Sequence, residues 1–213
     1  MIEATHGKFA VALLQEPYVG GIGKMKSYRG VRIYQSADQG EGTVKAAIAV
    51  FQQELEIIQY PKFTTNNIVV VKIRTSAWET TVVSYYFEPN RPIEPYLQHL
   101  GKIVKELGTR HIIVGGDANA KNTWWGSVCN DARGVDMEYM LNELDLQVLN
   151  VGTLPTFDVI RGNTRYTSCI DVTACSTDLL DRVRRWRVDE SVTSSDHNTI
   201  AFEIRQKRAK GTL

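Results

Sequence analysis

Residues 111–127 read HIIVGGDANAKNTWWGS. An apolar run rich in β-branched residues reads as a buried strand. It stops on Asp117, with Asn119 two residues later and Trp124 and Trp125 just beyond. Residues two apart in an extended chain point the same way, so Asp117 and Asn119 face one site. A carboxylate at the end of such a strand calls for a partner, because ionised carboxylates avoid apolar surroundings unless paired or metal-bound.

The segments around this strand set the class. GVRIYQS, AAIAVF, LEIIQY, NIVVVKI, TTVVSYYF, LQVLN and TIAFEI are short runs that also read as strands. Two segments have helical spacing instead. Ile93, Leu97, Leu100, Val104 and Leu107 fall three or four apart, between Pro92 and Gly108, and Met137, Met140, Leu141 and Leu144 do the same. Both stripes are core faces. Successive strands imply antiparallel sheet, and the strand–helix–strand passages imply helices over sheet faces. The expectation is one mixed α/β domain over residues 1–205, with a basic tail or linker over 206–213.

Length, at 213 residues, and an apolar share of 43% fit a globular protein. No apolar run is long enough for a membrane helix, and the first residues lack the pattern of a secretory signal. Cys129, Cys169 and Cys175 show no metal-ligand spacing and read as reduced thiols in an intracellular protein. With a net charge of +1, any polyanion must be met by a local patch. Arg182, Arg184, Arg185 and Arg187 form one candidate, and Arg205, Lys207, Arg208 and Lys210 another. A turn at Gly162-Asn163 in FDVIRGNTRYTSCIDV implies a hairpin flanked by Arg161 and Arg165.

Five polar points lie in apolar surroundings: Glu16 in ALLQEP, Tyr85 and Tyr86 in VVSYYFEP, Asp117 with Asn119, Asp171 in SCIDVT, and Asp196 with His197 in SSDHN. Each alone is explained by ordinary strand ends and turns. Together, hard oxygen donors, an amide, a phenol and one imidazole suit Mg²⁺-assisted phosphodiester hydrolysis. The scarcity of His and the lack of paired Cys argue against zinc.

These motifs in this order resemble the endonuclease/exonuclease/phosphatase superfamily. DANAKNTWWGS, YYFEPNRPIEPYL, PTF and WRVDESVTSSDHN are most similar to the endonucleases of site-specific insect non-LTR retrotransposons, of the TRAS type aimed at telomeric repeats. The resemblance implies a DNase I-like four-layer α/β sandwich, two mixed sheets face to face with helices outside. It implies Glu16 as principal ligand of Mg²⁺ (or Mn²⁺), with Asp196 beside the metal. Asp117 would hold the attacking water and Asn119 would orient it. His197 would contact the scissile phosphate, Asp171 would hold its imidazole, and Tyr86 would donate to the phosphate. Tyr85 and Tyr86 face opposite sides of a regular strand, so one alone can serve. Arg161, Asn163 and Arg165 become candidate contacts to duplex DNA. For Trp124 and Trp125, a wall beside the DNA stands against plain core burial.

The implied activity is nicking of target DNA in the nucleus. It would leave a 3′ hydroxyl to prime an RNA-directed DNA polymerase that follows in the parent polyprotein. Relatives begin with a strand bearing an Asn that supports the metal-binding Glu. Only fifteen residues precede Glu16, and they hold no Asn, so the first strand is expected to be missing. A DNA-binding remnant without catalysis, or a small-molecule phosphatase, are the alternatives.

Overall fold

The computed structural model describes residues 9–37, 42–76, 78–191 and 195–205. The tail expected over 206–213 lies outside them. The chain forms two compact units, one holding Met1–Tyr86 and His111–Gly116, the other Phe87–Arg110 and Asp117–Gln206.

In the first unit, β1 (Val11–Gln15), β2 (Arg32–Tyr34) and β3 (Ala46–Val50) form an antiparallel sheet in the order β1-β3-β2. β1 is therefore an edge among the described residues. β4 (Glu56–Gln59), β5 (Ile68–Arg74), β6 (Glu79–Tyr86) and β7 (Ile112–Asp117) neighbour one another in that order. Side chains alternate along a strand, and the core follows that period. Ala46, Ile48 and Val50 of β3 pack on Val69, Val71 and Ile73 of β5 and on Val82 of β6. The two sheets of this unit thus meet face to face. The opposite side of β3 is covered as well: Ala47 packs with Met25 and Val44. A strand enclosed on both faces explains why AAIAV contains no polar residue.

The second unit carries the helices. α1 (Glu94–Leu107) buries Leu97, Leu100 and Ile103, and ends at Gly108 in the left-handed region, φ +53. α2 (Ala132–Glu143) buries Met137, Met140 and Leu141. It starts five residues before the first residue of the apolar stripe, Met137, because the Asp131 side chain accepts the Gly134 N–H and caps it. β8 (Leu146–Val148) pairs with β11 (Asp171–Ser176). β9 (Phe157–Arg161) and β10 (Thr164–Ser168) make the expected hairpin. Gly162 sits at φ +61 at the first central position, as a type II′ turn requires. After the short helix α3 (Thr177–Leu180), β12 (Val183–Asp189) pairs with β13 (Thr199–Ile204) around a bulge. The strand reading omits β12, whose arginine-rich RVRRWRV hides its alternation.

Candidate active site

The sequence-nominated residues fall into two clusters, one in each unit. The first lies where β1 ends. Glu16 adopts φ +43, a left-handed conformation costly for a residue with a side chain. Its N–H donates to the Lys45 carbonyl at 2.8 Å, and its carboxylate accepts the Lys45 ammonium at 2.9 Å. That ammonium lies 5.7 Å from the centroid of the Tyr86 ring. Tyr86 is clamped by Asn67, which accepts its N–H at 2.8 Å and donates its side-chain amide to the Tyr86 carbonyl at 3.0 Å. Tyr85 is fully buried and packs against Gly116, so Tyr86 is the tyrosine beside the Glu16–Lys45 pair.

The second cluster gathers Asp117, Asn119, Asp171 and His197. Asp117 is 3% exposed. Both of its oxygens accept from Asn119, one from the backbone N–H at 2.8 Å and one from the side-chain amide at 3.0 Å. Asn119 reaches this pose through φ +46, a region that Asn tolerates better than most residues. His197 Nδ1 faces Asp171 Oδ2 at 2.9 Å and Oδ1 at 3.2 Å. Its Nε2 lies 3.8 Å from Asp117 Oδ2. Burial disfavours the charged ring. The hydrogen bond and charge of Asp171, with the charges of Asp117 and Asp196, outweigh burial and raise the imidazole pKa to about 9. One ligand atom from each of Asp117, Asp171 and His197 lies within 4.8 Å of the others. The carboxylates are turned on their N–H partners, and the imidazolium supplies the positive charge between them. Asp196 is exposed, and its carbonyl accepts the Asp158 N–H at 2.8 Å.

Over residues 80–201, more than half its length, the chain matches the family described as endonuclease-reverse transcriptase. It belongs to that family. The endonuclease domain of TRAS1, a telomere-specific non-LTR retrotransposon, is 56% identical, with a TM-score of 0.89 over 97% of this chain and 91% of that one. The AP endonuclease LMAP of Leishmania major is 12% identical, with a TM-score of 0.77 over 95% of this chain and 80% of that one, and shares the fold. A putative 115 kDa protein of the type-1 retrotransposable element R1DM of Drosophila melanogaster is 32% identical over 199 residues. That match takes in 89% of this chain and 18% of the relative, so the chain spans about a fifth of that protein's length. The chain is a DNA endonuclease with the DNase I-like α/β sandwich fold.

Two residues of the endonuclease receive no role from the motifs. Thr156 is buried, and its hydroxyl oxygen accepts the N–H groups of Ile170 and Asp171, each at 3.1 Å. Its own carbonyl accepts the Asn198 N–H at 2.7 Å. One threonine therefore ties down both members of the Asp171–His197 pair. The second is Arg133, on the first turn of α2. Its guanidinium donates to four carbonyls: Asn119 at 2.7 Å, Arg91 at 2.6 Å, Ala118 at 3.1 Å and Phe87 at 3.4 Å. A planar fork fits this set, and a lysine ammonium does not. Replacing Arg133 by Lys is expected to slow DNA nicking about tenfold at saturating DNA, with KM changed less than twofold. Steady-state nicking kinetics measure both constants.

The DNA-contact candidates separate as well. Trp125 is 1% exposed and donates its indole N–H to the Ala120 carbonyl at 3.1 Å. It belongs to the core, which corrects its place on a DNA-facing wall. Trp124 is 49% exposed, the one of the pair that shows a face to solvent. Arg165 is held by a two-pronged ion pair to Asp158 across the hairpin, with Nε 2.8 Å from Oδ1, so reading a base would mean leaving that partner. Arg161 and Asn163 at the tip are exposed. Ile160 and Tyr166 beside them are exposed too, and give the hairpin apolar faces that the arginine pattern does not announce.

Proposed function

We propose that this endonuclease is Mg²⁺-dependent and nicks one strand of duplex DNA at telomeric repeats. The cut would leave a 3′ hydroxyl from which a reverse transcriptase of the same polyprotein primes synthesis. The observation that carries the chemistry is the Asp117–His197–Asp171 array with Asn119 locked on Asp117. The target is carried over from the 56% identity to the telomere-specific TRAS1 domain. Such a target places the working protein in the nucleus.

In hydrolysis, a water attacks phosphorus, the P–O3′ bond breaks, and the departing 3′ oxygen takes a proton. Asp117, fixed by two N–H groups, accepts the proton of the attacking water. Asn119 keeps the carboxylate in the rotamer that does so. The Nε2–H of His197 donates to a non-bridging phosphate oxygen, where charge grows in the transition state. Asp171 holds the ring charged and in one orientation. In the first unit, the Tyr86 hydroxyl would donate to DNA phosphate.

The donors nominated for a cation are carboxylates, which suit a hard divalent ion. The Glu16 carboxylate is 52% exposed at the end of β1, so an ion can reach it, in exchange for the Lys45 ammonium it now carries. Glu16 in the first unit would hold Mg²⁺, and exposed Asp196 is a separate candidate in the second unit. The ion would neutralise phosphate charge and stabilise the departing oxygen.

The deciding experiment incubates supercoiled plasmid bearing telomeric repeats with the protein, in Mg²⁺ or in EDTA, beside Asp117→Ala. Open-circular product in Mg²⁺ alone, absent with Asp117→Ala, supports the reading. A salt-sensitive gel shift without cleavage at any Mg²⁺ concentration would replace it with a DNA-binding remnant.

A further inference from the structure

Lys45 holds Glu16 twice, by its carbonyl to the Glu16 N–H at 2.8 Å and by its ammonium to the Glu16 carboxylate at 2.9 Å. Lys45 is itself anchored, its N–H donating to the Asn66 carbonyl at 2.8 Å, immediately before the fully buried β3. The ammonium is fixed between two residues of the first cluster, with the Tyr86 ring on one side and Glu16 on the other. Its side chain is one-third exposed at 33%, against 52% for Glu16. This is a positioned charge rather than a chance surface pair.

We propose that Lys45 is a built-in counter-ion of Glu16 that keeps divalent-ion affinity low until DNA phosphate is present, and so couples metal binding to DNA binding. The proposal rests on Glu16 being a metal ligand. Like charges a few ångströms apart repel, and partial exposure weakens that repulsion without cancelling it. A divalent ion reaching Glu16 in the free protein meets the ammonium as a competitor for the same oxygen. A phosphate arriving beside Tyr86 offers the ammonium a second anion, and Glu16 is freed for the ion. Each ligand then raises the other's affinity by one common factor. The backbone of Glu16, at φ +43, is tied by its N–H to the Lys45 carbonyl, so the residue stays at the end of β1 when the ammonium shifts.

The test is calorimetric titration of Mn²⁺ into the free protein, and into its complex with an already nicked telomeric-repeat duplex, so that no turnover occurs. The variants are Lys45→Gln, which keeps a donor but loses the charge, Lys45→Met, and Lys45→Arg, which keeps the charge. Thermal melts confirm that each is folded. Lys45→Gln and Lys45→Met are expected to bind Mn²⁺ about five- to twentyfold more tightly than the parent in the absence of DNA, and Lys45→Arg within twofold of it. DNA should tighten Mn²⁺ binding to the parent and leave the two neutral variants nearly unaffected. Equal or weaker Mn²⁺ affinity in both neutral variants overturns the proposal, as does a parent whose Mn²⁺ affinity ignores DNA. Glu16→Gln separates the two levels: if it leaves Mn²⁺ binding intact, the ligand role of Glu16 has failed rather than the coupling.

Discussion

Replacing His197 by alanine is expected to lower the nicking rate by about a thousandfold while leaving the protein folded. In the proposed mechanism His197 is the donor aimed at the charge that develops on the phosphate, and the chain builds two carboxylates around it. Asp171 is 2.9 Å from Nδ1 and Asp117 is 3.8 Å from Nε2. Asp171→Asn should cost less, about tenfold to a hundredfold, because the ring stays in place but loses the charge that holds its proton. The two variants are compared by single-turnover nicking. The imidazole pKa gives an independent reading. Measured by NMR in EDTA it should lie near 9 in the parent and fall toward its ordinary 6.5 in Asp171→Asn. The folded-state pKa is raised above the unfolded value. The stabilisation from this pair is therefore complete below about pH 6.5 and is lost as pH climbs through 9. Thermal melts of the metal-free protein should show that loss in the parent and little of it in Asp171→Asn.

What could be read from the sequence followed from the period of its apolar residues and from polar groups that interrupt them. β3, the first four residues of β5 and the start of β7 are unbroken apolar runs, and all three were legible as strands. Asp117 and Asn119 were legible as a pair from their spacing of two, but they meet through a turn beyond the strand end, with Asn119 at φ +46, and not along an extended chain. The pairing of Asp171 with His197 came from the family resemblance, since 25 residues, with the rest of β11, the short α3 and β12 among them, lie between the two. Arg133 and Thr156 escaped because they act on backbone carbonyls and N–H groups, which leave no partner residue in the sequence to find. The ion pair of Arg165 was not read for a related reason. Its partner Asp158 lies on the facing strand of the same hairpin, a relation fixed by the register Thr167↔Asp158 and not by residue type. Trp124 and Trp125 are adjacent and chemically identical. The 3-10 turn Thr123–Trp125 sends one inward, where a carbonyl receives its N–H, and leaves the other outside.

Gly116→Ala is the change expected to damage the fold most. A methyl group on Gly116 would sit 1.8 Å from the Tyr85 carbonyl oxygen, 2.8 Å from its carbon and 3.0 Å from the Tyr85 ring. Two of these atoms belong to the backbone of β6, so no rotamer change relieves the contact, and Tyr85 is itself fully buried. The neighbouring strands must separate, and β6 also carries Val82 of the core shared with β3. Overpacking of this kind costs about 3 kcal/mol, which for a chain of this size lowers the melting temperature by about 6–12 °C. Gly101→Ala is the matched control. Gly101 lies within α1 with nothing inside 4 Å of the added carbon, and alanine there should raise stability by up to about 1 kcal/mol. A thermal melt of the three proteins checks both signs. The damage also reaches the chemistry, because Asp117 is the next residue along β7. A strand pushed off β6 carries its carboxylate with it, and a displacement near 1 Å is enough to lose about a hundredfold in rate. Nicking by Gly116→Ala should therefore fall by more than the unfolded fraction accounts for, even at a temperature where most of the protein is folded.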